Sequence, residues 1–291
     1  MQPVLLSIGH GYSAAAAASA LPQGWRVLAT TRNPEKARDL ASAGLEAVLW
    51  QGDAGGKALG AALAQATHLI SSVPPRGKGG AHQGDPVLAA LDGLAAPHLR
   101  WIGYLSASSV YGDAGGDWLD ETAPLEPGTE RGKARLAAEH GWQALGAAHG
   151  AGVALFRIAG IYGPGRSAIT ALREGRAHRV VKPGQVFNRI HVADLGRIIA
   201  AAALARATGP FNLCDAEPAP PQDVIAHAAD LLRIARPPEE PFDGAALSPM
   251  ARSFYAESKR LRSVRVVREL GVQLAYPDYR AGLAAILQDE A

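Results

Sequence analysis

Apolar runs of strand length alternate with alanine-rich stretches of helix length through the first two thirds of the chain. That alternation is the βαβα rhythm of a parallel sheet covered by helices on both faces. Strands are expected at 4–8, 26–31, 47–51, 68–72, 100–105 and 153–158, with helices at 13–20, 34–43, 56–66, 85–94 and 130–148. The run AAAAASA at 14–20 reads as structure rather than low complexity, because small side chains let a helix press closely against a sheet. After residue 159 the rhythm breaks into shorter pieces punctuated by proline and glycine, including IYGPGR and EPAPP. Residues 1–158 are therefore expected to form the sheet domain, with 190–213 returning to it. Residues 159–189 and 214–291 are expected to form a smaller substrate-binding unit.

At 291 residues, 48% of them apolar, the chain can bury a core without covalent staples. Its one cysteine, Cys214, rules out an internal disulfide, and no Cys/His cluster suggests a metal, so a reducing compartment is expected. A net charge of +2, with acids and bases interspersed, gives no reason to expect a nucleic-acid partner. The local exception is 252–268, with six basic residues, read as a solvated helical face in preference to a contact with an anionic substrate. No apolar run reaches the roughly 18 residues of a membrane span, and the amino terminus opens directly into a strand. The expectation is a cytoplasmic protein without a membrane partner.

VLLSIGHGYSAAAAA places Gly9, Gly11 and Ala14 in the pattern GxGxxA, after a strand and at the opening of a helix. The first glycine makes a tight turn and the second lets backbone approach a pyrophosphate. A small third residue lets helix and strand pack, while the helix amino terminus supplies N–H donors and a positive dipole. His10, Tyr12 and Ser13 complete this candidate dinucleotide-binding turn. At the end of the second strand an NAD-binding protein usually carries an acid for the adenine ribose hydroxyls; this chain carries Thr30, Thr31, Arg32 and Asn33. A guanidinium cannot accept those bonds, but it can grip a 2′-phosphate and stack on adenine, so NADP is favoured over NAD. The competing reading makes Arg32 a solvated loop residue. Asp53 is placed either to accept from the adenine amino group or to cap a helix. Val73 and Pro74, with Pro75, end the fourth strand, either beneath the cofactor or simply as a stop to the strand.

With these residues in place, the chain resembles the extended short-chain dehydrogenase/reductase superfamily of the NAD-dependent epimerase/dehydratase type. The likeness runs nearly end to end, through GHGYSA, SASSVYG (106–112), FRIAGIYGPGR (156–166), RIHVADL (189–195) and FNLCDAEP (211–218). LISSVPP, DPVLAAL and the RGKARLAAE helix narrow it to a bacterial branch described only as NAD(P)-binding oxidoreductases. The resemblance implies an α/β, Rossmann-type doubly wound parallel sheet with a smaller carboxy-terminal substrate domain over the nicotinamide. Family members often dimerise through helices around 85–94 and 130–148; the alanine-rich faces here do not decide whether this chain is a homodimer.

Family enzymes use Ser or Thr, Tyr, and Lys four residues after the Tyr. The resemblance puts Ala107 at the serine, Arg131 at the tyrosine and Arg135 at the lysine. Arginine stays protonated and cannot serve as a general base. Arg135 could still bind the nicotinamide ribose, and Arg131 could hold a substrate carboxylate or phosphate, or stabilise an oxyanion. The plainer alternative puts both on an exposed helix face, with Arg135 paired to Glu139. Ser108 and Tyr111 are the remaining candidates for proton exchange, each with a structural alternative in a turn or cap. Arg166, Asn188 and His191 are expected at the substrate, with loop, turn or structural roles as the competing readings. The function expected first is an NADP-dependent oxidoreductase acting on a small polar molecule whose anionic group would meet Arg131. The alternatives are a catalytically silent NADP-binding sensor and a nucleoside-sugar epimerase or dehydratase.

Overall fold

The computed structural model describes residues 2–53, 56–76 and 84–290. The first half alternates β1 (Val4–Ile8), α1 (Tyr12–Ser19), β2 (Arg26–Thr31), α2 (Pro34–Ser42), β3 (Glu46–Leu49), α3 (Lys57–Leu63), β4 (His68–Ser71), α4 (Pro86–Leu91) and β5 (Trp101–Ala107). A single 3-10 turn, Ser108–Tyr111, leads to β6 (Trp118–Leu119), α5 (Glu130–His149) and β7 (Gly152–Ile158). Shorter pieces follow: β8 (Gly160–Tyr162), α6 (Ala168–Arg173), β9 (Arg179–Val181), β10 (Arg189–His191), α7 (Val192–Ala205) and β11 (Gly209–Leu213). The chain ends with α8 (Pro221–Leu232), β12 (Glu239–Pro241), α9 (Pro249–Phe254), β13 (Arg260–Leu261), α10 (Val264–Leu270) and α11 (Tyr279–Asp289).

Seven strands form one sheet in the order β11-β7-β5-β4-β1-β2-β3, every pairing parallel. The direction of winding reverses between β1 and β4, and in an open α/β sheet ligands collect at the carboxyl edge of such a reversal. The loops after β1, β2 and β4 therefore meet there. Local chemistry sets the helix starts: Asn33 Oδ1 accepts from the Glu35 and Lys36 amides ahead of Pro34, and Asp85 does the same for Val87 and Leu88 ahead of Pro86. Thr129 caps α5, and Gly150 in the left-handed region at φ 65° ends it.

Two apolar clusters lie on the two faces of the sheet. One joins Leu6, Leu63, Leu69 and Ile102 to Trp142 of α5; the other joins Leu5, Ile70 and Phe156 to α1 and α7. The alanines of α1 serve that second face. Ala14 and Ala17 are buried, and a Cβ on Gly196 of α7 would stand only 2.5 Å from the Ala16 carbonyl oxygen. Close approach is thus helix to helix as well as helix to sheet.

Element limits differ from expectation where polar or glycine residues intervene. β3 stops at Leu49, α3 at Leu63 and α4 at Leu91 before Asp92 and Gly93, while β5 runs on to Ala107. Val266 of α10, with Leu270, Val272 and Leu274, packs into the sheet core. Among the described residues no helix is long and apolar enough to cross a membrane.

Candidate dinucleotide and active site

The turn after β1 is built around two glycines with different constraints. Gly9 has φ +78°, and a Cβ there would lie 2.7 Å from Val73 Cγ2, so both backbone and space require glycine. Its amide donates to Thr30 Oγ1 at 2.9 Å, and the Ser72 hydroxyl donates to its carbonyl, tying β1, β2 and β4 together. Gly11 opens α1 with φ −108°, and a Cβ there would meet nothing nearer than 3.9 Å. Packing within the protein does not demand glycine at 11. Ala14 is fully buried, as the close helix–sheet contact requires. The Tyr12 hydroxyl donates to the Pro164 carbonyl at 3.1 Å, latching this turn to the loop after β8. His10 is buried with Nδ1 2.9 Å from Ser7 Oγ; burial, then the neighbouring Lys36 charge, lowers its pKa and keeps it neutral. Ser13 lies in the first turn of α1.

A cavity of about 710 Å3 runs from this turn across the ends of β2 and β4. Gly9, His10 and Gly11 line it, as do Val73 and Pro74, and Thr31, Arg32, Lys36 and Arg76 are among the polar residues of the lining. Among the described residues no Asp or Glu lines it. Among the described residues the exposed Arg32 guanidinium has no hydrogen-bond partner, whereas Lys36 Nζ donates to the His10 carbonyl at 2.6 Å. Lys36 and Arg76 belong to no motif, and only the fold brings them here. Asp53 is outside the lining: Trp50 Nε1 donates to its carbonyl at 3.0 Å, and its carboxylate stands beside Gly56 without making a capping bond. Trp50, Gln51 and Gly52 border the cavity beside it.

At the reaction end, α5 sends Arg135 toward β5. Its Nη1 donates to Tyr104 Oη and to the Leu105 carbonyl, both at 3.0 Å, while Nε is buried without a partner. The expected pairing with Glu139 is absent. Glu139 accepts from Ser106 Oγ at 2.5 Å and pairs with Arg157 at 3.0 Å, both deeply buried. Arg157 Nη1 in turn donates to Tyr111 Oη at 3.1 Å, and the Tyr111 hydroxyl donates to Asn212 Oδ1 at 2.7 Å. That hydroxyl is thus engaged in the network, and burial raises its pKa. Ser108 is half-buried at the start of the 3-10 turn, and its hydroxyl has no partner among the described residues. Arg131 is exposed, with its guanidinium 4.4 Å above the half-exposed ring of Phe254 in α9. It faces the carboxy-terminal segment rather than open solvent.

Of the residues expected at the substrate, two have structural partners. Asn188 is buried, donating from Nδ2 to the Lys259 carbonyl at 3.0 Å and accepting from the Leu261 amide at 2.7 Å. That pair of hydrogen bonds ties Asn188 to β13. His191 caps α7 through Nδ1 and sits against the rings of Tyr162 and Tyr276; burial lowers its pKa. Arg166 lines a separate cavity of about 410 Å3. The basic run at 252–268 is not a solvated face. Lys259 Nζ donates to the Gly112 carbonyl and pairs with Glu257 at 2.6 Å, Arg260 donates to the Gly116 carbonyl, and Arg265 binds the Thr208 and Pro210 carbonyls. These cations staple the carboxy-terminal segment onto the sheet domain.

No curated protein matches the sequence. Among solved structures, a functionally unknown conserved protein from Silicibacter pomeroyi is 47% identical over 99% of both chains, with a TM-score of 0.85. Human epimerase family protein SDR39U1, solved with NADPH, shares 17% identity over 99% of both chains, with a TM-score of 0.74. UDP-N-acetylglucosamine 4-epimerase from Bacillus cereus shares 15% over the full length of both, with a TM-score of 0.71. At such identities the last two share the fold. The family model for the NAD dependent epimerase/dehydratase family matches residues 87–214, which span α4, the β5 turn with Ser108 and Tyr111, α5 and the strands through β11. With the seven-stranded parallel sheet and the glycine turn at its switch point around it, residues 87–214 carry an NAD dependent epimerase/dehydratase family domain.

Proposed function

We propose that the protein is an NADP-binding oxidoreductase whose reaction end has departed from the usual Ser/Tyr/Lys set. The observation that carries this reading is the cavity at the sheet's switch point, with Arg32, Lys36 and Arg76 in its lining and no acid among the described lining residues. An acid there would repel a 2′-phosphate, whereas two or three cations favour it. The fit is supported by Gly9, whose missing side chain keeps the turn tight, and by Gly11, where a side chain would intrude only on something the protein itself does not supply. In this reading the amides at the start of α1 meet the pyrophosphate, Arg32 and Lys36 meet the 2′-phosphate, and Arg135, held by Tyr104 and Leu105, reaches the nicotinamide ribose. The bound nicotinamide would supply or accept a hydride. Arg131 and the ring of Phe254 would hold a small polar, anionic substrate, and Ser108 Oγ, like that of Ser109, offers a hydroxyl without a partner among the described residues just after β5. Neighbouring structures were solved with NADPH or with NAD, which supports a nicotinamide cofactor.

Incubating the protein with NADPH and a panel of aldehydes, ketones and sugar nucleotides tests the reading. Turnover that Arg131→Ala abolishes supports it. The engaged hydroxyl of Tyr111 favours a second reading, a silent NADP-binding sensor. Tight NADPH binding without turnover across the panel would select that one. An epimerase acting on sugar nucleotides, the activity named for the Bacillus cereus neighbour, would have to work without a phenol at position 131.

A further inference from the structure

The second cavity, about 410 Å3, shares no lining residue with the dinucleotide cavity. The tight loop after β8 lies between them, closed by paired backbone bonds between Gly163 and Arg166 and latched to Tyr12. The charge of its lining is one-sided. Arg166, Arg176, His178 and Arg189 contribute to it and, among the described residues, no Asp or Glu does. Two of these groups have partners outside the lining: Arg176 pairs with Glu174 and His178 with Glu240. The other two are undercommitted. Arg189, half-buried in β10, gives Nη1 to the carbonyls of Phe187 and Ala219, and its Nε and Nη2 have no hydrogen-bond partner among the described residues. The Arg166 side chain makes no hydrogen bond at all among them. Asp215, the acid that acts most strongly on Arg189, forms no ion pair with it: Oδ1 accepts from the Glu217 amide and Oδ2 is buried without a partner. Opposite these donors the wall is apolar and aromatic, from Tyr162, Tyr279, Val224, Ile225 and Leu283.

Cations that line a cleft without acids repel one another, and an anion relieves that repulsion. Two guanidinium forks on separate elements offer more donors than the two oxygens of one carboxylate can take, but they suit the three terminal oxygens of a phosphate. The apolar wall asks for a body beyond the anion. We propose that this cavity binds a small phosphate monoester with a compact apolar body, at a site separate from the dinucleotide. This inference does not rest on the cofactor assignment.

Calorimetric titration of the full chain with phenyl phosphate, inorganic phosphate and phenol tests it. The expected result is one phenyl phosphate per chain, bound roughly tenfold or more tightly than either fragment, because charge and apolar wall act together. Arg166→Gln should weaken binding about tenfold while leaving the melting temperature nearly unchanged, since the Arg166 side chain has no hydrogen bond to lose among the described residues. Arg189→Lys, which keeps the charge but not the fork, should also weaken it. Phenyl phosphate binding no better than inorganic phosphate would overturn the proposal. So would binding that Arg32→Ala abolishes and Arg166→Gln spares, because the phosphate would then sit in the dinucleotide cavity. Titrating the same preparation with NADPH tests the cofactor reading separately, so failure of one is distinguishable from failure of the other.

Discussion

Replacing Glu139 by alanine should be among the most damaging single changes in the molecule. Its carboxylate and the Arg157 guanidinium lie 3.0 Å apart with side-chain exposures of 2% and 6%, so water cannot take over the lost role. Removing one member of a buried pair strands the other charge at a cost of about 3–5 kcal/mol. Ser106 also loses the acceptor it reaches at 2.5 Å, adding roughly 1 kcal/mol. For a chain of this size each kcal/mol moves the melting temperature by about 2–4 °C, so a fall of roughly 10 °C or more is expected. Glu139→Gln keeps the Ser106 bond and should fall between. The double variant Glu139→Met with Arg157→Met removes both charges and should recover much of the loss. Calorimetric melting of the four proteins tests this order. If Glu139→Ala melted within about 2 °C of the parent, the pair would not be stranded by its loss and the buried-network account would be wrong.

Three further outcomes follow from the same geometry. Gly11→Ala should leave stability within about 1 kcal/mol, because its φ is ordinary and the space is open, yet weaken NADPH binding by tenfold or more; calorimetry that finds binding unchanged would show that no ligand approaches that backbone. Tyr111→Phe should lower stability by about 1–3 kcal/mol, by leaving Arg157 and Asn212 short of a partner, without lowering any turnover; a large fall in kcat in a well-folded variant would return Tyr111 to the chemistry. Burial raises the Asp215 pKa to about 7, above its value in the unfolded chain, so the native state binds the extra proton and this group's contribution falls as pH rises from about 4 to about 7. Asp215→Asn should therefore gain on the parent across that window in urea denaturation, and a constant difference would refute the assignment.

Much of the fold could be read in advance because its signals are local. The apolar runs of β1, β2, β4 and β7, and the Asn33-Pro34 and Asp85-Pro86 helix starts, depend on a few adjacent residues. The site was less legible, because it is assembled by residues distant in sequence. Nothing near Lys36 or Arg76 announces a phosphate end; both arrive there because β2 and β4 flank β1. Tyr111 and Asn188 look functional as polar residues in loops or at strand ends, but their hydrogen bonds go to Asn212, Lys259 and Leu261, far along the chain. The basic run at 252–268 misleads for the same reason: charge composition does not reveal that Lys259 and Arg265 are bound to backbone carbonyls of the sheet domain.

The central claim is a dinucleotide pocket shaped for an extra phosphate, and paired titrations with NADPH and NADH address it most directly. The parent protein should bind NADPH more tightly than NADH. Arg32→Ala should erase roughly tenfold of the NADPH affinity while leaving NADH nearly unchanged. Equal losses for both dinucleotides, or no loss for either, would contradict it.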